Sequence, residues 1–238
     1  FRVYQTKAAF PQTAPLFVFH HGGGHTALTW ALVADGLRRL LPDGCSVLCF
    51  DCRGHGTCQL DNANLSLERL SADLVALIDA LYPEKPAEIF LIGHSMGGAV
   101  VVDAAQTMKG LTGVAVLDVV EGTAMDSLIH MRSILRSRPK SFASIPDAIA
   151  WSVRSMSVKD NASARVSIPS QIKLVHDADG AGARYEWITD LSASEQHWEG
   201  WFKNLSSKFL TMRCARLLIL AGTDRLDTAL TIGQMQGK

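Results

Sequence analysis

The segment Leu91-Ile92-Gly93-His94-Ser95-Met96-Gly97-Gly98 constrains this chain more than any other. An apolar run stops at a serine flanked two residues either side by glycine, and a helix-compatible segment follows at once. A strand that turns this sharply into a helix brings backbone atoms together where any Cβ would clash, so positions 93 and 97 must be glycine. Ser95 is thereby held out at the tip of the turn. The same turn aims the backbone N–H of Met96 and the start of the helix at the place where an oxyanion would form.

A second segment fits the first. The strand-like run Pro15-Leu16-Phe17-Val18-Phe19-His20 ends in His21-Gly22-Gly23-Gly24. Glycines there let a second backbone N–H, that of Gly23 or a neighbour, approach developing negative charge without side-chain obstruction. The pair matches the G-x-S-x-G nucleophile elbow and the HGGG-type oxyanion loop of the α/β-hydrolases, and the expected chemistry is that of an esterase or related acyl hydrolase.

Length and charge narrow the class. At 238 residues the chain can bury one sizeable core and carry an insertion. Lys plus Arg and Asp plus Glu each number 23, so the formal charge is zero, and no basic stripe marks a nucleic-acid footprint. No apolar run approaches the ~20 residues needed to span a bilayer. Phe1-Arg2-Val3-Tyr4-Gln5 does not form a secretion signal, so the expectation is a soluble, intracellular protein without a membrane partner, in the cytoplasm with the nucleus open as a second location. The chain opens on phenylalanine rather than methionine, which suggests a fragment of a longer product.

Cys45, Cys49, Cys52, Cys58 and Cys214 leave an odd count, and Cys49 lies inside the strand-like run Ser46 to Asp51. Reduced, structural thiols are expected. His20, His21 and His25 straddle the glycine loop without the spacing of a metal site, so no metal is expected.

Strand-like and helix-like segments alternate, which predicts a mostly parallel sheet with helices on both faces. Strands are expected at 15–20, 46–51, 88–93, 114–120 and 216–222, and helices at 26–41, 67–82 and from the elbow to about 108. From about Asp126 to Leu210 the alternation fails. One domain over 1–238 is expected, with its core at about 1–125 and 211–238 and a helical cap inserted at about 126–210. Trp151, Trp187, Trp198 and Trp201 fall in that cap, where packing its own small core is favoured over lining a pocket roof.

A serine nucleophile needs a histidine to take its proton and an acid to orient that histidine. Asp118 ends the strand after the elbow, while Asp224 follows the last strand, the commoner place in this fold. No histidine follows His197. His94 should point away from Ser95, His55 sits in a structural-looking turn, and His197 lies in the cap.

Further segments carry a closer likeness. Glycine loop His21 to Trp30, elbow Gly93 to Ala99, Asp118 to Asp126, Arg138-Pro139-Lys140, Ala150 to Val153, Ser163 to Ser167 and Asp224 to Lys238 resemble the protein phosphatase methylesterase family over nearly the whole chain. The resemblance implies removal of the methyl ester from the C-terminal leucine carboxylate of the catalytic subunit of type 2A protein phosphatases, with no cofactor. It implies Ser95 as nucleophile and Asp118 as acid, Met96 and Gly23 as oxyanion donors, and Asp224 as a rim or structural residue. It also places the catalytic histidine, with the last strand and helix of the sheet, beyond Lys238, leaving a sheet edge uncovered. The competing readings are a small-ester or lipid hydrolase of the same fold and a non-catalytic module that docks on the phosphatase.

Overall fold

Strands with apolar residues on both faces need cover on both sides, and that requirement organises the molecule. Its computed structural model describes residues 1–41, 43–59, 64–177, 182–222 and 226–237. The elements of the main layer are β1 (Val3–Thr6), β2 (Leu16–His20), α1 (Ala31–Leu40), β3 (Ser46–Phe50), α2 (Leu67–Leu81), β4 (Ile89–His94), α3 (Met96–Thr107) and β5 (Gly113–Leu117). After an insertion, α8 (Leu205–Thr211), β9 (Ala215–Ile219) and α9 (Thr228–Met235) return to it. The sheet order is β1-β3-β2-β4-β5-β9, parallel throughout except for the antiparallel pair of β1 and β3.

Alternation along each strand sorts the core. Leu16, Val18, Leu48, Phe50, Leu91, Val114 and Val116 pack with Leu70, Leu74 and Ile78 of α2 and Val100 to Val102 of α3. Phe19, Val47 and Cys49 point the other way, onto Trp30 and α1 residues Ala34 and Leu37. Cys49 lies fully in this second layer, where burial pushes its thiol up to about 12, the state expected of a protonated, structural cysteine. Ser66 caps α2 by accepting from the Arg69 N–H at 3.4 Å, and Asp227 caps α9 by accepting from Leu230 at 2.9 Å.

Three expectations need amendment. β1 was not foreseen, because Val3-Tyr4-Gln5-Thr6 shows only one short alternation at the chain's start. The strand expected at 114–120 ends at Leu117, since Asp118 adopts φ +55°, a left-handed conformation no strand continues through. The insertion is not purely helical either. Beside α4 (Glu121–Ser137), α5 (Ile145–Arg154), α6 (Asn161–Ser167) and α7 (Trp198–Phe202), it holds β6 (Ser141–Phe142), β7 (Ile172–His176) and β8 (Ala183–Trp187) in an antiparallel sheet of order β6-β8-β7.

The four cap tryptophans divide. Trp151 and Trp187 join Phe142, Ala148, Ala164, Ile168 and Ile172 in the insertion's own core. Trp198 and Trp201 belong to the main core, and Trp201 Nε1 donates to Leu65 O at 2.6 Å, pinning the insertion's end to the segment before α2. On the opposite side β9 is an edge strand among the described residues, with Leu217 and Ile219 about half exposed. Among those residues no helix is long and apolar enough to cross a membrane.

Candidate active site

The elbow takes the form its sequence requires. A Cβ on Gly93 would stand 2.1 Å from Gly97 O, and one on Gly97 would stand 2.4 Å from His20 O, so strand, turn and helix meet backbone to backbone. Between them Ser95 adopts φ +52°, ψ −121°, a conformation a non-glycine residue holds only when its surroundings enforce it. Enforcement is visible. Ser95 N–H donates to Leu117 O at 3.1 Å, and Ser95 O accepts from Gly98 N–H at 2.8 Å. The side chain is half-buried, and among the described residues Oγ makes no hydrogen bond.

The glycine loop lies directly over the serine. A Cβ on Gly22 would come 3.3 Å from Ser95 Cβ and 2.9 Å from His94 Nδ1. Gly24 sits at φ +77° with the cap residue Leu191 against it, and Gly23, beneath the same leucine, stays partly exposed. Met96 opens α3, so its N–H has no intrahelical acceptor.

The two histidines preceding the loop brace it. His21 Nδ1–H donates to Gly22 O at 2.8 Å while its Nε2 accepts from the Cys52 N–H at 3.1 Å, which fixes a neutral ring and ties the loop to the turn after β3. Desolvation is the largest cause holding both rings neutral: His21 is well below the usual imidazole range and His20 is lowered to about 4. Asp51 anchors the far end of the loop. Its buried carboxylate accepts from Ala27 N–H at 2.9 Å and from Thr57 N–H at 3.0 Å. His55 is wholly buried in that turn, with Nδ1 on Arg53 O at 3.0 Å, consistent with a structural role.

Asp118 reaches the same rim as Ser95, because Leu117 before it pairs in register with His94. Its N–H donates to Ile219 O at 2.7 Å and its Oδ1 accepts from Ala221 N–H at 3.1 Å, linking the acid to β9. Like Ser95 it is held at positive φ. Asp224, the competing acid, lies outside the described residues. His94 has its pKa lowered by burial, with the Asp118 charge opposing that shift, and its ring stands edge-on to His25 at 5.8 Å. His25 is pushed down to about 3, first by desolvation and then by the charges of His94 and Arg138. Among the described residues no histidine bonds to Ser95 Oγ.

Sequence reasoning gave no role to Arg138 or Leu191, which arrive from the cap. Leu191 covers the glycines, and Arg138 Nη1 would lie 3.8 Å from a Cβ on Gly24. Arg138 stood only within a segment quoted for family likeness, and no local pattern shows that a residue 114 positions on (138 minus 24) folds over the loop.

Comparison with known proteins gives a concordant picture. A model described as the alpha/beta hydrolase family matches residues 17–238. A protein named protein phosphatase methylesterase 1 from Gibberella zeae is 44% identical over 235 residues, covering 94% of this chain and 58% of its own length. Proteins of the same name from Mus musculus and Homo sapiens are 38% and 37% identical over 278 residues, each covering all of this chain and 70% of its own length. The chain thus spans less than two thirds of the fungal relative. Among solved structures, an E-2-(acetamidomethylene)succinate hydrolase superposes with a TM-score of 0.73 at 20% identity, covering 98% of this chain and 81% of its own, and supports the fold alone.

Proposed function

The chain belongs to the alpha/beta hydrolase family and, within it, to the protein phosphatase methylesterase 1 family, and from that premise we propose that it belongs to a serine carboxylesterase that demethylates a protein C-terminus. The substrate in this reading is the C-terminal leucine methyl ester of the catalytic subunit of type 2A protein phosphatase. The observation that carries it is Ser95, held at φ +52° on the strand rim beneath a glycine loop that approaches its Cβ to 3.3 Å from the Gly22 Cβ position.

Each residue then has one task. Ser95 Oγ attacks the ester carbonyl carbon and its proton passes to a histidine, which we place in sequence beyond Lys238. Asp118 orients that histidine and stabilises its cation. The N–H groups of Met96 and Gly23 hold the tetrahedral oxyanion, a contribution of about 3 kcal/mol per donor in comparable sites. Collapse expels methanol and leaves an acyl-enzyme, which water opens to release the free carboxylate and restore Ser95. The residues need no metal or organic cofactor for these steps.

The test is mass spectrometry of a carboxymethylated phosphatase catalytic subunit incubated with the chain 1–238 and with the full-length protein. Demethylation by the full-length protein alone supports the reading and the position of its base. A full-length protein that turns over soluble esters and spares the methylated subunit would establish an ordinary esterase instead. One that binds the subunit without cleaving any ester would establish a docking module.

A further inference from the structure

The ester in the proposed reaction is neutral, yet the surface beside the glycine loop is cationic. A cavity of about 500 Å³ is lined by Arg132, Arg136, Arg138, Lys140, Trp187 and Trp198, among others. A second, of about 340 Å³, opens on Gly23, Gly24 and His25. The two share Leu135, Arg138, Trp187 and Leu191, so Arg138 stands at the junction between the outer groove and the loop above Ser95.

The groove also holds Glu186, Asp190 and Glu195, and each of these carboxylates already has a partner. Arg132 pairs with Glu195, and Glu186 pairs with Arg184 at 2.7 Å. Asp190 Oδ1 is occupied as a helix cap, accepting from Ser192 N–H at 2.9 Å and from its hydroxyl. Among the described residues, Arg136, Arg138 and Lys140 have no carboxylate within ion-pair distance. Arg136 and Lys140 are exposed and lose little by this, but Arg138 is largely withdrawn from water, and an unpaired cation there is costly. Its guanidinium carbon rests 3.9 Å from the Trp187 ring centroid, while Trp187 Nε1 is itself fixed on Pro139 O at 2.8 Å. The ring contact holds the guanidinium in place, and among the described residues its N–H groups make no hydrogen bond, so they can meet a planar oxyanion.

We propose that Arg138, held on Trp187 and flanked by Arg136 and Lys140, selects substrates by receiving an acidic side chain of the polypeptide, a few residues before the esterified C-terminus. The proposal rests on the reading that Ser95 hydrolyses a protein C-terminal ester. A methyl ester offers these cations no charge, so what they recognise must precede it in the chain. The groove's volume admits a short extended segment, and its cations lead to the loop where the ester would lie. Desolvation lowers the Arg138 pKa, and an incoming carboxylate would relieve that penalty.

The experiment measures binding without turnover. Fluorescein-labelled peptides ending in leucine methylamide, inert to esterase chemistry, carry either two Asp or two Asn residues upstream. Fluorescence anisotropy gives Kd for full-length wild type, Arg138→Gln and Arg138→Lys at low and at physiological salt. Wild type should bind the Asp peptide at least about tenfold more tightly than the Asn peptide. Arg138→Gln should erase the difference, and Arg138→Lys should restore part of it, since ammonium keeps the charge and loses the planar fork. Equal binding of both peptides by wild type, or a preference that survives in Arg138→Gln, would overturn the proposal. If Arg138→Gln fails to fold, the Arg136→Gln, Lys140→Gln pair takes its place, and an undiminished preference there is equally fatal. An acid preference shown by full-length protein that fails to remove the methyl ester in the mass-spectrometric assay would sink the esterase reading instead, so the two failures are told apart.

Discussion

Alanine at Gly93 or Gly97 should cost this protein more than almost any other single methyl group. At Gly93 the new Cβ would meet Gly97 O at 2.1 Å, Gly97 C at 2.4 Å and Gly98 N at 2.6 Å; at Gly97 it would meet His20 O at 2.4 Å and His21 O at 2.6 Å. Ordinary contact begins near 3.4 Å, so the overlaps exceed an ångström at Gly93 and reach about an ångström at Gly97. All the obstacles are backbone atoms. No rotamer can relieve them, and relief requires parting β4 from α3 or α3 from β2. Overpacking of a close-packed core costs about 1–3 kcal/mol when side chains can yield, so about 3 kcal/mol or more is expected here. At about 2–4 °C per kcal/mol for a chain of this size, Tm falls by roughly 6–12 °C. Gly36 provides the opposite sign. It lies within α1 with nothing within 4 Å of its Cβ position, so Gly36→Ala should raise stability by about 0.5–1 kcal/mol through lost unfolded-chain entropy and better helix propensity. Thermal unfolding followed by circular dichroism decides. Gly93→Ala and Gly97→Ala proteins melting within about 2 °C of wild type would refute the reasoning, as would a Gly36→Ala protein that melts as low as they do.

Other outcomes follow from the same geometry. Gly22→Ala meets His94 Nδ1 at 2.9 Å and comes only just inside ordinary contact with His94 O and Ser95 Cβ, both at 3.3 Å, so Tm should shift by less than about 4 °C while kcat for ester hydrolysis by the full-length protein falls about 10²-fold. Buried His20 stays neutral down to about pH 4, whereas the unfolded chain protonates it near 6.5, so the unfolded state binds more protons between those values and stability falls with falling pH. That residue alone should remove about 3 kcal/mol between pH 6.5 and 4, and His20→Asn, which retains a donor for His21 O, should flatten the slope in urea titrations. Asp73 is buried against Arg53, with Nε to Oδ2 at 2.6 Å and Nη2 to Oδ1 at 3.0 Å, so Asp73→Ala should cost about 3–5 kcal/mol; a loss under about 1 kcal/mol in denaturant would show the pair to be dispensable.

What the sequence disclosed was whatever is local or periodic. The elbow glycines were legible because a two-residue spacing around Ser95 has one steric explanation, and the five parallel strands because each is a short apolar run between breakers. α2 read well, since Leu67, Leu70, Leu74 and Ile78 repeat at helical spacing and Ser66 caps it. The cap sheet was missed, although Ile172-Lys173-Leu174-Val175-His176 and Arg184-Tyr185-Glu186-Trp187 alternate over four or five residues, because helices dominate on either side. In the sequence His20 and His21 stand only as metal-ligand candidates without the right spacing, and in the fold they brace the glycine loop, each ring using a backbone carbonyl next to it. The place of Arg138 above Gly24 was not legible at all, since it depends on a fold-back of the cap that no local pattern encodes.

The central claim is that Ser95 is an activated nucleophile poised at the strand rim. Its most direct test is covalent trapping: full-length protein treated with a fluorophosphonate, digested, and mapped by tandem mass spectrometry. The account predicts one phosphonylated residue, Ser95, with labelling abolished in Ser95→Ala and suppressed by a peptide bearing a C-terminal methyl ester. An unmodified Ser95 in protein that cleaves that ester, or a label on another residue that the ester displaces, would contradict it.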